Sequence, residues 1–517
     1  MKRAILLCAG LSVLVACVGG CGTNSSGDPA PAAGRVSATL NPQVARYSIL
    51  APADASVHIQ FGPTTAYGLN TWSQPAPPGG GVVNMYVAGM LQNTTYHMRA
   101  VTQLADGTET MDGDHTFQTG SVDPSLLPQV SAITAPGMTP QSGLELLDLV
   151  NPKERQSVVT DLAGNIVWTY PYGNSGTDLP EPVRQLDDGD FLISMSPQVN
   201  LQGLFSIAAI NDIREVNLEG LTVHELSIDD LNYRLAKNGF DLTLYTMHHD
   251  VLPLPNGHLI VLANTLKLFN DLPGYPGPLN VLGDVLIDLD KNWEPVWVWN
   301  SFDHLDVNHH PMNFPDWTHS NALLYSADDG NLLLSMRHQN WIIKIDYQDG
   351  QGSGAVLWRL GEGGDFKLQG GVDPTDWFYA QHGPHFVTAS TAGNFTLAVF
   401  DNGNDRVFPS GATCGTTGAP ACYSTAMMVQ IDEAAKTATI QFNDDPIGYS
   451  VFGGNAEMLA NGDFEFDMCD VSQAPNLANV YEVIPTAQPQ LVWQMNIKNN
   501  FAYRAFRISS MYPGVQW

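Results

Sequence analysis

A chain of 517 residues is too long for one ordinary globular core, although a repeat architecture can carry several hundred residues as a single domain. With 44% hydrophobic and 14% charged residues it has the composition of a folded protein. Its 52 acidic against 22 basic side chains, a formal charge of -30, argue against nucleic acid or an anionic membrane face as partner, so a small anionic substrate would need its own local cluster of donors.

Lys2 and Arg3 precede an apolar run over residues 4–15 that is too short to span a bilayer, which reads as an export signal. The run ends in Leu14, Val15, Ala16 and Cys17, followed by a flexible Gly/Ser/Pro stretch. That pattern resembles a bacterial lipobox, in which Cys17 would become the lipid-bearing first residue of the mature chain. Cys21, with glycines before it, is a poorer candidate, and cleavage nearby without a lipid is the alternative. Residues 1–35 are thus expected to be signal and linker. The protein is expected in the periplasm or at the cell surface, touching a membrane through a lipid anchor alone. Export also favours cysteine pairing. Cys414 and Cys422 bracket "GTTGAPA" and are expected to form a disulfide, leaving Cys469 over, since the pair lacks the spacing of structural zinc.

Residues 36–122 alternate apolar and polar positions in "SVHIQFG", "VVNMYVAG" and "TYHMRAVTQ" between Pro/Gly/Asn turns, which predicts a small β-sandwich. The stretch around "LQNTTYHMRAVTQ" resembles the late strands of fibronectin type III modules and carries no evident chemistry.

Residues 123–517 repeat a different unit. Turns at Gly189, Gly257, Gly330, Gly393 and Gly462 each lead into a hydrophobic strand, spaced by 63 to 73 residues. Between them stand short strands ending in an aromatic residue: "GNIVW", "EPVWVW", "GAVLW", "ATIQF" and "PQLVW". About four strands per interval is what one propeller blade requires. Five units are visible and a sixth fits the length, so a six-bladed β-propeller is expected, five or seven blades being the alternatives. The C-terminal "YRAFRISSMYP" is expected to join an early strand and close the seam.

Ten of the 14 histidines fall between residues 248 and 385. His249, His319 and His382 stand at the same place in three consecutive repeats, just before the strand that enters the glycine turn. Equivalent positions of successive blades share a ring around the axis, so these three are expected to meet in a central pocket with Arg337, delivered by "SMRHQ". His248, His338 and His385 lie beside them as supporting candidates. Asp250 either orients an imidazole or caps a turn. His304, His309 and His310 are expected in a polar loop at the rim, and Arg359 and Arg406 in surface or packing roles.

The motifs "HHD" with "LPNG", "DWTHSN" with "SMRHQ", "IIKID" and "VLWRLG", then "QHGPH" and "VFDNGNDR", occur in an order that resembles the bacterial arylsulfate sulfotransferases. These are exported enzymes with a six-bladed propeller behind a small β-sandwich. The resemblance spans most of the chain. It implies transfer of a sulfuryl group from a phenolic sulfate ester to another phenol through a sulfohistidine, with no nucleotide donor, cofactor or metal. Matched motif by motif, His382 would take the sulfuryl group, His249, His319 and Arg337 would be catalytic, and Asn321 would bind substrate. Gly383 and Pro384 depart from the acidic and small residues the resemblance leads one to expect, and the turn that follows is three residues longer than the one after His249.

The chemistry suits these residue types. Sulfuryl transfer asks for in-line positioning and for donors on three non-bridging oxygens, which a guanidinium and an amide supply. An imidazole can be nucleophile when neutral and acid when protonated, and the acid/base role falls to His249 or His319. One rival reading makes the histidines ligands of an oxygen-chemistry metal, which three histidines and an arginine suit poorly. Another is a non-catalytic, lipid-anchored binding propeller. A homodimer is compatible with the sequence.

Overall fold

A computed structural model describes residues 33–150, 155–171, 178–197, 211–312, 314–444, 447–471 and 477–517. The signal, Cys17 and Cys21 lie outside the described residues. The fold is all-β, as expected. Two sheets form the N-terminal part: Arg35–Ala38, Ala45–Ala51 and Gly81–Val87 make one, and Ser56–Gly62 and Thr95–Gln103, with short flanking strands, make the other. Alternation sets their faces. In Ala45–Ala51 the odd positions are buried, and Tyr47, Ile49, Val57, Ile59 and Phe61 meet in a shared core.

Among the described residues six sheets follow in chain order, antiparallel except where Lys367–Gln369 pairs parallel with Thr437–Asp444. Their innermost strands are Phe501–Ile508, Asp178–Gln185, Thr246–Pro253, Ser320–Ser326, His382–Thr391 and Ala456–Met458. Each sheet packs on the next, and the sixth packs back on the first, so the contacts run in a cycle. A separate apolar cluster fills each junction. Ile213, Met247 and Val261 bridge the second and third sheets, for example, and Leu147, Val480 and Trp493 the sixth and first. Outer-strand tryptophans repeat one device: Trp168, Trp299 and Trp493 each donate from Nε1 to a carbonyl of the following sheet, at Leu218, Gly354 and Leu162, over 2.8, 2.9 and 2.8 Å.

The five glycine turns fall between the first and second strands of sheets two to six. The first sheet has no such turn because its innermost strand comes from the chain's end. Phe501–Ile508 pairs antiparallel with Leu144–Val150, from Leu144 opposite Ile508 to Val150 opposite Phe501. Gln129–Thr134 in turn covers the outer edge of the sixth sheet. Cys414 and Cys422 are bonded, as expected, and Cys469 is buried.

The closing strand carries Arg507, and four glutamates from four different strands surround it. Its guanidinium donates to Glu145, Glu465 and Glu482 at 2.8, 2.5 and 3.0 Å, and its backbone N–H donates to Glu457 at 3.2 Å. One cation cannot offset four enclosed carboxylates. Burial, opposed by the Arg507 backbone bond and reinforced by Glu145, pushes Glu457 up to about 7. Its native form therefore binds a proton that the unfolded chain releases above the ordinary glutamate range, and stability falls as pH rises from that range to about 7. Glu457→Gln keeps the acceptor and removes the titration. Its melting temperature should equal that of wild type near the unfolded glutamate pKa of about 4.3 and exceed it by a few degrees in mildly alkaline buffer, as read by thermal scans across pH.

Candidate active site

The inner strands bring the sequence-predicted residues together. The rings of His249 and His319 lie 5.0 Å apart, His319 stacks on His338 at 4.3 Å, and Tyr503 bridges His249 and His382 at 5.8 and 6.2 Å. Local backbone makes this possible. His249 sits in a break of pairing between Met247 and Val251, and both His249 and His319 occupy the left-handed region, with φ of 59° and 45°, a conformation costly for a residue with a Cβ. After His382 the strand passes so close to its neighbour that a Cβ on Gly383 would lie 2.5 Å from that of Asn455; glycine is the residue this approach admits.

His382 is 1% exposed, and its tautomer is set by its surroundings. Nδ1 faces two acceptors, Asn402 Oδ1 at 2.7 Å and the Ala380 carbonyl at 3.0 Å, so Nδ1 carries the hydrogen and Nε2 keeps its lone pair. Asn402 is itself oriented by donating from Nδ2 to the carbonyls of Ser450 and Gly453 at 2.9 and 3.1 Å. Burial first, then Arg504 and Arg337, hold His382 well below the ordinary histidine range despite the Asn402 bond. Its imidazole is thus neutral at neutral pH.

Two arginines flank it. Arg504 is buried and donates only to neutral acceptors: Gly454 O at 2.7 Å, Tyr503 O at 3.1 Å, Asn321 O at 3.0 Å and Tyr503 Oη at 3.4 Å. Arg337 is half-buried. It donates to His338 Nε2 at 3.0 Å and to the Val451 carbonyl at 3.1 Å, while its enclosed Nε has no acceptor. Among the described residues neither guanidinium enters an ion pair. Asp467, whose field reaches Arg504, is buried with both oxygens unpartnered and is pushed well above the carboxylate range by burial, against the pull of Arg504.

The supporting candidates divide. His338 donates from Nδ1 to the Asp316 carbonyl at 2.7 Å and accepts from Arg337, a neutral link pushed down to about 3 by burial and by His319. His248 shares a hydrogen with His249 between their Nδ1 atoms at 2.8 Å, and its Nε2 lies 3.3 Å from Asp284 but off line for a hydrogen bond. Asp250 faces Arg184, taking both its Nε and Nη2, and also accepts from the Leu323 amide, so its carboxylate ties three inner strands. His385 stands three residues beyond His382 with its side chain exposed. Asn321 donates from Nδ2 to the Gln381 carbonyl at 2.7 Å and leaves Oδ1 buried and unpartnered, which makes it a support for the backbone entering His382. At the rim, His309 stacks on Trp341 and His310 on Phe314, while His304 lies further out against Trp299. Arg359 pairs with Asp365 near the surface, and buried Arg406 clamps Asp401 and the carbonyls of Thr375, Trp377 and Tyr423.

Four residues of the site escaped the sequence reading: Asp316, Asn402, Tyr503 and Arg504. Asp316 accepts from His319 Nδ1 at 2.6 Å. Its spacing in "DWTHSN" was the available signal, since three residues across a tight turn bring a carboxylate to an imidazole. Asn402 lies inside "VFDNGNDR". Tyr503 and Arg504 belong to the strand expected to close the ring, and any innermost strand sends side chains to the centre.

Asp316, His319 and His338 offer ligand atoms within 4.8 Å of one another. They fit a cation poorly, because the His338 Nδ1 hydrogen is committed to the Asp316 carbonyl and Arg337 stands against the same ring.

The geometry gathers a neutral, oriented histidine and two arginines without ion-pair partners among the inner strands of an all-β protein. The protein-family model Arylsulfotransferase (ASST) matches residues 128–504, and the chain belongs to that family of sulfotransferases with phenolic substrates. Comparison with curated proteins returned no match. Among solved structures, a member of the DUF4221 family from Bacteroides vulgatus is similar over 74% of this chain and 98% of its own, at 8% identity and a TM-score of 0.30, a likeness too slight to build on.

The His382 ring should show no titration between pH 5 and 8 when its Hε1 resonance is followed by NMR, whereas a free imidazole would titrate near pH 6.5. Asn402→Ala should lower turnover by about 10-fold or more by releasing Nδ1.

Proposed function

We propose that the protein is a nucleotide-independent aryl-sulfate sulfotransferase that carries the sulfuryl group on His382 Nε2. The carrying observation is the pair of arginines beside a neutral imidazole, left without carboxylate partners in a chain with a formal charge of -30. An enclosed, unpaired guanidinium is costly, and an anionic ligand is the partner that would relieve it. Arg337 has free N–H donors for the sulfuryl oxygens. Arg504, whose donors are engaged by carbonyls, contributes charge.

In the first half-reaction Nε2 attacks sulfur, the bond from sulfur to the aryl oxygen breaks with its electron pair on oxygen, and a nearby imidazolium supplies a proton to the leaving phenolate. In the second, a phenol gives up its proton, its oxygen attacks sulfur, and the S–N bond breaks to restore neutral His382. Preorganised donors stabilise the charge spread over the three sulfuryl oxygens in both transition states. The cycle of six sheets supports a six-bladed propeller, over residues 123–517, with residues 36–122 as a separate sandwich domain and residues 1–35 as a lipoprotein signal and linker at Cys17 that would hold the enzyme outside the cytoplasm.

Release of a chromogenic phenol from its sulfate ester should require a second phenol as acceptor and no nucleotide or metal. It should vanish in His382→Asn and fall by about 10²- to 10³-fold in Arg337→Gln, as for loss of one preorganised donor. Release without acceptor would make the protein a hydrolase, and no release from any aryl sulfate would favour a binding role.

A further inference from the structure

We propose that Asp316 is the positioning residue that makes His319, rather than His249, the imidazole exchanging a proton with the phenolic oxygen; this assignment rests on the transfer reading above. The Asp316 carboxylate meets His319 Nδ1 at 2.6 Å. That contact fixes the tautomer: Nδ1 keeps its hydrogen, and Nε2 is the nitrogen that gains or loses a proton. The His319 side chain is 26% exposed, against 1% for His382, so part of this imidazole remains accessible while His382 is enclosed.

The placement of Asp316 is built rather than incidental. Its backbone bridges to Leu282, an anchor strengthened on either side by Leu282 N donating to the Pro315 carbonyl at 2.9 Å and Trp317 N donating to the Leu282 carbonyl at 3.0 Å. Trp317 is buried and donates from Nε1 to His309 O at 2.8 Å. On the other side of the turn, Arg337 N donates to His319 O at 3.2 Å, and His338 N to Thr318 O at 3.1 Å. The carboxylate and the ring are therefore held from separate elements, and the left-handed φ of His319 turns its ring back over Asp316.

Asp316 remains anionic through the working range. Burial alone would raise it, but His319, and then His338 and His248, outweigh burial and hold it well below the usual carboxylate range. Its charge faces the charge that His319 takes on. His249 is placed differently: enclosure, then His248, His319, His382 and Arg504, holds it well below the histidine range, so it enters the first half-reaction without a proton to give. In that half-reaction His319 Nε2–H passes its proton to the aryl oxygen as the S–O bond breaks. In the second, Nε2 takes the proton of the acceptor hydroxyl as its oxygen bonds to sulfur. One proton leaves and one returns, and His382 needs none on Nε2.

The test is single-turnover phenol release from two donors, 4-nitrophenyl sulfate, whose phenolate leaves unaided, and 4-methylphenyl sulfate, whose phenolate needs a proton. Asp316→Asn should slow the methylphenyl ester by about 10²-fold and the nitrophenyl ester by less than about 10-fold, the range general acid help supplies. His319→Asn should show the same selective loss, and the double variant no further loss, because the two residues act as one unit. An equal loss for both esters, or a selective loss in His249→Asn instead, would overturn the assignment while leaving sulfuryl transfer in place. Wild-type protein that releases neither phenol would overturn the transfer reading and this assignment with it.

Discussion

Positive charge enclosed without a carboxylate beside it is the constraint from which the rest of the site follows. Arg504 can be held in the interior because backbone carbonyls from the first, fourth and sixth sheets converge on it, and such carbonyls meet only where inner strands come together. Burial, and then that field, keep His382 neutral, and the same charge suits an anion that a chain of charge -30 would otherwise repel. Because Arg504 and Tyr503 lie on Phe501–Ile508, the site is complete only when the end of the chain has paired with Leu144–Val150. The pairing of this strand and the assembly of the site therefore depend on each other. Three residues further along the same strand, Arg507 gathers the glutamates of the neighbouring strands, so the seam and the pocket share a support.

One residue type fills several roles here because its surroundings differ. His382 is buried against a carboxamide and two cations and is held neutral, the state the proposed nucleophile needs. His338 is a neutral link that passes the backbone of Asp316 on to Arg337. His319 has a carboxylate on Nδ1 and a partly exposed side chain. Separating the environments of chemically identical groups is how one pocket can run both nucleophilic and acid/base steps near neutrality.

The repeat was legible in the sequence because two-residue alternation and a glycine turn recur with sheets two to six, and His249, His319 and His382 were legible because they share a place in that repeat. The first sheet could not be counted the same way, since its inner strand arrives from residues 501–508 without a hairpin turn. The partner of Asp250, Arg184, lies on the preceding sheet, 66 residues away, and no local pattern announces such a pairing. Asn402 and Arg504 act through acceptors brought in by three-dimensional closure, which spacing along the chain does not encode. Asn321 was given a substrate-binding role by resemblance, and its hydrogen bond to Gln381 shows what that side chain does to the backbone before His382.

The most direct test of the account is to mix the protein with an aryl sulfate in the absence of any acceptor, quench under alkaline conditions that preserve a nitrogen-bound sulfuryl group, and map the modification by peptide mass spectrometry. The account predicts one sulfuryl group per chain, on His382, removed on adding a phenol. A modification on His249 or His319, or an unmodified protein that nevertheless transfers sulfate between phenols, would contradict it.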